Sequence, residues 1–73
     1  MSEWEKTNED NWVMRMPRVV SLIVGVHQNT AFFTIWQGAF QLAHCTFAAR
    51  NFDDYIGFAK KTALAIYHEM EIE

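Results

Sequence analysis

Two turn signals divide the middle of the chain into three stretches that are rich in β-branched and aromatic residues. The stretches cover residues 18–26, 31–37 and 39–47. This composition is typical of β-strands. Gln28-Asn29 marks the first turn and Gly38 the second, and each is compatible with a two-residue hairpin loop. The pattern therefore predicts three antiparallel strands joined by tight turns.

The two turns also predict which residues lie opposite each other. A Gln28-Asn29 loop places Leu22 opposite Ile35, and a Gln37-Gly38 loop places Ile35 opposite Phe40. Because side chains alternate between the faces of a strand, one face is then almost wholly apolar. Its predicted members are Leu22, Val24, Val26, Phe33, Ile35, Phe40 and Leu42.

One C-terminal helix is predicted to cover this apolar face. Asn51 is the expected N-cap, and the carboxylates of Asp53 and Asp54 suit the positive end of a helix dipole. Apolar residues then recur at helical spacing. The predicted stripe consists of Phe52, Ile56, Ala59, Ala63, Ile66, Tyr67 and Met70. The small Ala59 and Ala63 at its centre would let the helix approach the sheet closely.

These elements predict an α+β fold, in which a three-stranded antiparallel sheet packs on one helix. Residues 12–16 are a candidate for a short extra N-terminal strand that ends before Pro17. Residues 1–11 show no hydrophobic periodicity, so we expect a flexible acidic tail there. The remaining residues, 12–73, form a single β-β-β-α domain, as the length of 73 residues suggests.

The opposite face of the predicted sheet is also apolar, and the single helix cannot reach it. Its expected members are Ile23, Phe32, Trp36, Ala43, Cys45 and Phe47, with the polar Ser21, Thr34 and Gln41 among them. Monomeric proteins seldom leave so much aromatic surface bare. Three occupants are open: residues 12–16 folded back over the face, a second copy of the chain, or a foreign protein. The candidate partner-binding residues are Trp12, Val13, Arg15, Arg18, Val19, Ile23, Phe32 and Trp36.

The sequence offers no candidate for catalysis, metal binding or cofactor binding. His44 and Cys45 are adjacent on a strand, so they point to opposite faces and cannot form a dyad. We expect Cys45 to be a small buried hydrophobe. Lys60, Lys61 and Arg50 are expected on a solvated helix face. The three histidines lack metal-ligand spacing, and we expect no enzyme.

The net charge and the apolar runs limit the classes of partner. A net charge of −3 makes direct DNA binding unexpected, because phosphate binding favours a basic surface. No apolar run approaches the roughly 20 residues of a membrane span. We therefore expect a protein partner and a cytoplasmic location.

The acidic opening SEWEKTNEDNW, the strand RMPRVVSLIVGV and the helix FDDYIGFAKK together resemble small transcription regulators encoded by lytic phages of Xanthomonas. The likeness spans essentially all 73 residues, without a diagnostic motif. It implies a non-catalytic protein that binds the host's RNA polymerase at the N-terminus of the β′ subunit. The β flap and an elongation factor are further candidate contacts.

The resemblance also implies that the protein inhibits promoter-dependent initiation and promotes antitermination in the host cell cytoplasm. It transfers no site residues, so the candidates above rest on the sheet pattern alone. The alternative reading is a small homodimeric module, or an inhibitor of another host protein, without nucleic-acid contact.

Overall fold

The computed structural model describes residues 4–51 and 53–70, and shows an antiparallel sheet with one helix against it. The strands are β1 (Glu5–Asn8), β2 (Asn11–Met16), β3 (Val20–His27), β4 (Thr30–Gln37) and β5 (Phe40–Ala48), and they lie in chain order. A short 3-10 helix, Ala49–Asn51, leads to helix α1, Tyr55–Glu69. The expected α+β class is confirmed, whereas the expected number of three strands is wrong because the sheet has five.

The additional strands come from the N-terminal part of the chain. The candidate strand at residues 12–16 is present as β2, which pairs with residues 20–25 of β3. Residues 1–11, expected as a tail, supply β1 and the first residue of β2. All four residues of β1 are exposed, so this strand carries no hydrophobic pattern that could have revealed it. Residues 1–3 lie outside the described residues.

The hairpin of β3 and β4 has the predicted register. Leu22 pairs with Ile35 and Val24 pairs with Phe33. The loop residues Gln28 and Asn29 have φ angles of 49° and 65°. A type I′ turn needs positive φ at both central positions, and its twist matches that of the flanking strands.

The hairpin of β4 and β5 differs from the prediction in both its loop and its register. The loop consists of Gly38 and Ala39, and Gly38 takes the positive φ of 59° that a type II′ turn needs at its first central position. A bulge then adds Leu42 to β5, so Ile35 pairs with Ala43 instead of Phe40. Phe40 and Leu42, both predicted in the core, are 77% and 40% exposed.

The core lies between α1 and one side of the sheet, here called the helix face. Its most deeply buried side chains are Val20, Leu22, Val24, Ala31, Phe33, Ile35, Ala59 and Ala63. The predicted helix stripe is confirmed for Ile56, Ala59, Ala63, Ile66, Tyr67 and Met70, which are buried or pack against buried residues. Phe52 lies outside the described residues. Val26, predicted in the core, is only half-buried.

The start of α1 also differs from the prediction. Asp54 is the N-cap, and its carboxylate accepts a hydrogen bond of 3.0 Å from the backbone N–H of Gly57. Asn51, the expected cap, lies at the end of the 3-10 helix instead. Gly57 leaves room for this cap, because a Cβ there would collide with the Asp54 carboxylate.

Candidate functional site

The sheet face that points away from α1, here called the second face, is built from three rows of residues that pair across β2 to β5. The rows are Arg15, Ser21, Trp36 and Gln41; Val13, Ile23, Thr34 and His44; and Asn11, Gly25, Phe32 and Thr46. Helix α1 packs against the other side of the sheet. Within residues 4–51 and 53–70, no helix or strand lies over the second face.

The second face agrees in part with the prediction from the sequence. Its predicted members Ile23, Phe32, Trp36, Ser21, Thr34 and Gln41 are confirmed. Ala43, Cys45 and Phe47 were wrongly placed there, because the bulge turns them to the helix face and brings in His44 and Thr46. Cys45 is exposed and not buried. Residues 12–16, one of the three candidate occupants of this face, do not fold back over it, since they lie within the sheet as β2.

A side-chain hydrogen bond joins Trp36 and Thr34 at the centre of the second face. The indole Nε1 of Trp36 donates a hydrogen bond of 3.1 Å to the Oγ1 of Thr34. Thr34 is 9% exposed and Val13 is 8% exposed, although no helix within residues 4–51 and 53–70 covers them. The neighbouring Ile23 and the Trp36 ring are half-buried. These side chains bury part of one another's surface, and Ile23 and Trp36 remain partly exposed to solvent.

Phe32 of β4 is paired with Gly25 of β3. A Cβ on Gly25 would come within 2.7 Å of the Cζ of Phe32 and 2.9 Å of the carbonyl oxygen of Asp10, and would also collide with the Asn11 side chain. Only glycine lets the ring lie so close to the backbone. Gly25 therefore sets the height of Phe32 above the sheet.

Two open grooves meet at Phe32 and His27. The first has a volume of about 480 Å³ and is lined by His27, Gln28, Thr30, Phe32, Thr34, Gln41, His44 and Thr46. The second has about 520 Å³ and is lined by Asn8, Glu9, Asp10, Asn11, Val26, His27 and Phe32. The first groove surrounds an aromatic floor with hydroxyl, amide and imidazole groups. It can thus bind an apolar side chain and also hydrogen-bond a peptide backbone.

Arg15 lies at the β2 side of the second face. Its Nη1 is 3.0 Å from the Oε2 of Glu5, and both side chains are mostly exposed. An exposed ion pair of this kind contributes little to stability. The guanidinium can therefore exchange Glu5 for a carboxylate of a partner at small cost.

Arg18 and Val19 lie in the loop between β2 and β3, at the end of the sheet nearest Trp36. Their φ angles are 66° and 63°, which is unusual for a β-branched residue such as Val19. The backbone carbonyls of both residues accept hydrogen bonds, from the Gln37 side chain at 3.3 Å and from the Gly38 N–H at 3.0 Å. This loop holds the Val19 side chain out of the core, 75% exposed.

Trp12, the remaining candidate, lies on the helix face. The Nζ of Lys60 is 5.0 Å from the centre of its ring and 5.6 Å from that of Trp4, and the Nζ of Lys6 also lies over Trp12. Lys60 was expected on a solvated face, but it joins α1 to Trp12 of β2 and to Trp4, which precedes β1, through these cation–π contacts. The structure thus brings together Val13, Arg15, Ile23, Phe32 and Trp36, and separates Trp12 from them.

Sequence reasoning missed Asn11, Gly25, His44 and Thr46 as members of the second face. The position of the bulge controls His44 and Thr46, and the sequence contains no signal for it. The glycine within the Val-rich β3 was a signal for Gly25, since such a glycine often marks a close approach. Within the described part of the chain, no group of three or more His, Cys, Asp or Glu residues could hold a metal ion.

No helix of the described residues is long and apolar enough to cross a membrane. Comparison of the chain with models of protein families, with curated proteins and with solved structures gave no match.

Proposed function

We propose that the chain is a non-catalytic regulator that binds its host's bacterial RNA polymerase through the second face. The observation that supports this most is the apolar surface of Ile23, Phe32 and Trp36, which no helix or strand of the described residues covers. Polymerase is proposed as the partner because the whole chain resembles phage-encoded polymerase regulators. The N-terminus of β′ is the proposed main contact, with the β flap and an elongation factor as additional ones.

The composition of the second face suits a protein partner. Its centre is apolar and half-buried, while Ser21, Gln41 and Arg15 surround it with polar groups. Interfaces between proteins commonly combine an apolar core with a polar rim, and tryptophan is enriched among the residues that contribute most binding energy. A short extended segment with apolar side chains is the ligand that such a face fits best.

The proposed mechanism is a shift between states of the polymerase. A protein of net charge −3 is repelled by DNA phosphates, so we do not expect it to compete for promoter DNA by gripping it. It would act instead by binding one polymerase state more tightly than another, since a ligand shifts an equilibrium only by its differential affinity. Preference for the elongating state would lower initiation and favour passage through terminators. The site of action would be the host cytoplasm.

Association with purified polymerase in the absence of DNA tests this proposal. We expect binding at micromolar concentration, and we expect Trp36→Ser to weaken it at least about tenfold, as for a central tryptophan of an interface. Phe58→Ser is the matched control. It also removes a partly exposed aromatic ring, but from α1 on the other side of the molecule. Circular dichroism should show both variants folded.

Two results would overturn the proposal. The first is no association between the wild-type chain and polymerase at micromolar concentration. The second is a loss of binding in Phe58→Ser together with full binding in Trp36→Ser, which would place the contact on the helix side. A synthetic peptide with the sequence of the β′ N-terminus should compete for the wild-type chain. Failure of that peptide alone would redirect the contact to another part of the polymerase.

A further inference from the structure

The outer edge of β5, which no strand of the described residues pairs with, is a second surface that can bind another strand. Apart from the loop-proximal bulge at Leu42, β5 is a regular strand of 9 residues, Phe40–Ala48, and it contains no Asp, Glu, Lys or Arg. The opposite edge, β1, has 4 residues and includes the charged Glu5 and Lys6. Proteins usually block edge strands by making them short or charged. The sheet follows this rule at β1 and not at β5.

The hydrogen-bond pattern shows which backbone groups of β5 point outward. The N–H of Ala49 donates to the carbonyl of Asn29 at 2.8 Å, beside the pair of Thr30 and Ala48. A bond between the residues next to a pair shows that Thr30 and Ala48 themselves form a non-hydrogen-bonded pair. Along an antiparallel ladder, non-hydrogen-bonded and hydrogen-bonded pairs alternate. His44, Thr46 and Ala48 therefore direct their backbone N–H and C=O away from β4, whereas Cys45 and Phe47 bond to it.

We infer that β5 pairs with β5 of a second copy of the chain, antiparallel and about a two-fold axis, with Cys45 opposite Cys45 of the second copy. A two-fold axis through an antiparallel ladder requires one residue to face itself. Residues 43–48 are the regular stretch between the bulge at Leu42 and the 3-10 helix that starts at Ala49. Only centres at Cys45 and at Thr46 fit five pairs into this stretch. The centre at Cys45 is the better of the two, because it places the large Phe47 opposite the small Ala43, whereas a centre at Thr46 would place Phe47 opposite the larger Cys45.

The side chains around this centre complement one another. His44 would exchange backbone hydrogen bonds with Thr46 of the second copy, and the large Phe47 would lie opposite the small Ala43. Like charges opposite each other would oppose such pairing, but β5 carries none despite the net charge of −3. A second copy fits this edge better than an arbitrary strand, because pairing the stretch with itself places its large Phe47 opposite its small Ala43.

The dimer would extend the sheet across the axis and leave both second faces open. It is therefore independent of the proposed polymerase contact, and either proposal can fail without the other. The non-hydrogen-bonded position of Cys45 would bring the two Cα atoms to about 4.5 Å. This distance lies within the range of a disulfide, so Cys45 is a natural reporter for the register.

Sedimentation of the full chain over a concentration series tests the dimer. We expect reversible dimers, and a mild oxidant should link them through Cys45. Cys45→Arg places two like charges opposite each other and should raise the dimer dissociation constant at least about tenfold. Its matched control, Cys45→Ser, should lose the cross-link and keep the dimer.

A second variant acts on the backbone. Thr46→Pro removes an outward N–H without removing a hydrogen bond to β4, as proline does on an edge strand. It should weaken the dimer about as much as Cys45→Arg, and Thr46→Val should not. A chain that stays monomeric up to about 1 mM would overturn the inference. Dimers that resist both β5 variants but dissociate in Trp36→Ser would also overturn it, since they would pair through the second face.

Discussion

The Trp36 indole donates its N–H to the hydroxyl of Thr34, two residues back on the same strand and on the same face. This hydroxyl belongs to a residue that is 9% exposed, so water can satisfy it poorly. The bond therefore provides a partner for a buried oxygen and also fixes the direction of the largest ring on the second face. A partner would meet a ring that is already oriented, which lowers the entropic cost of binding.

The first prediction concerns this bond. Thr34→Val removes the acceptor and nearly keeps the shape of the side chain. We expect hydrogen exchange of the Trp36 indole N–H, followed by NMR, to become about fivefold faster, since a net hydrogen bond contributes about 1 kcal/mol. The indole groups of Trp4 and Trp12 serve as controls in the same sample. Unchanged exchange at Trp36 would show that the bond does not persist in solution.

The second prediction concerns the contact between Gly25 and Phe32. Gly25→Ala places a methyl group within 2.7 Å of the Phe32 ring, and so it should lower the free energy of unfolding by about 1–3 kcal/mol in urea titrations. Adding Phe32→Leu removes the Cζ atom and should recover part of that loss. Equal stability of the single and double variants would place the strain at Asn11 and the Asp10 carbonyl instead.

The third prediction separates the two candidate caps of α1. Asp54→Ala removes the carboxylate that accepts the Gly57 N–H and should cost about 1 kcal/mol. For a domain of this size that corresponds to a fall in melting temperature of roughly 4–8 °C. Asn51→Ala is the matched control and should change the melting temperature little. The reverse order of effects would mean that the helix starts near Asn51, as the sequence suggested.

The fourth prediction compares two adjacent lysines on α1. Lys60→Met removes the ammonium group that lies over Trp4 and Trp12 and keeps a long apolar side chain. We expect a loss of about 0.5–1 kcal/mol in chemical unfolding followed by tryptophan fluorescence. Lys61→Met alters an exposed side chain with the same change in charge and should be nearly neutral. Equal effects of the two variants would indicate a general charge effect and no specific contact.

The hairpin of β3 and β4 and the helix stripe were predictable because each rests on strong local signals. Gln28-Asn29 can take the two positive φ angles of its turn, and on both sides of it the helix-face positions, at every second residue, are apolar. The next hairpin was not predictable. Gly38 fits either place in a two-residue loop, and no residue type marks the bulge at Leu42. That single extra residue exchanges the faces of most of β5.

The N-terminal part of the fold could not be predicted from the sequence, and the reason is a different one. β1 buries none of its side chains, so it has no period to detect. In β2 three apolar residues, Trp12, Val13 and Met14, follow one another, and either alternate set could have faced α1. In the structure Trp12 lies beneath Lys60 and Met14 packs in the core with Leu22 and Ile35, and these contacts join residues far apart in the chain. The second face was thus predictable at its centre, Ile23, Phe32 and Trp36, and not at its borders.

The strand order has a consequence for synthesis on the ribosome. Each strand pairs with the one made just before it, so the whole sheet can form while the chain is still emerging. Helix α1 leaves the exit tunnel after every strand, and until it docks, Leu22 and Phe33 have no cover. During that interval both faces of the sheet expose apolar side chains. The nascent protein then has its largest apolar surface to which a chaperone can bind.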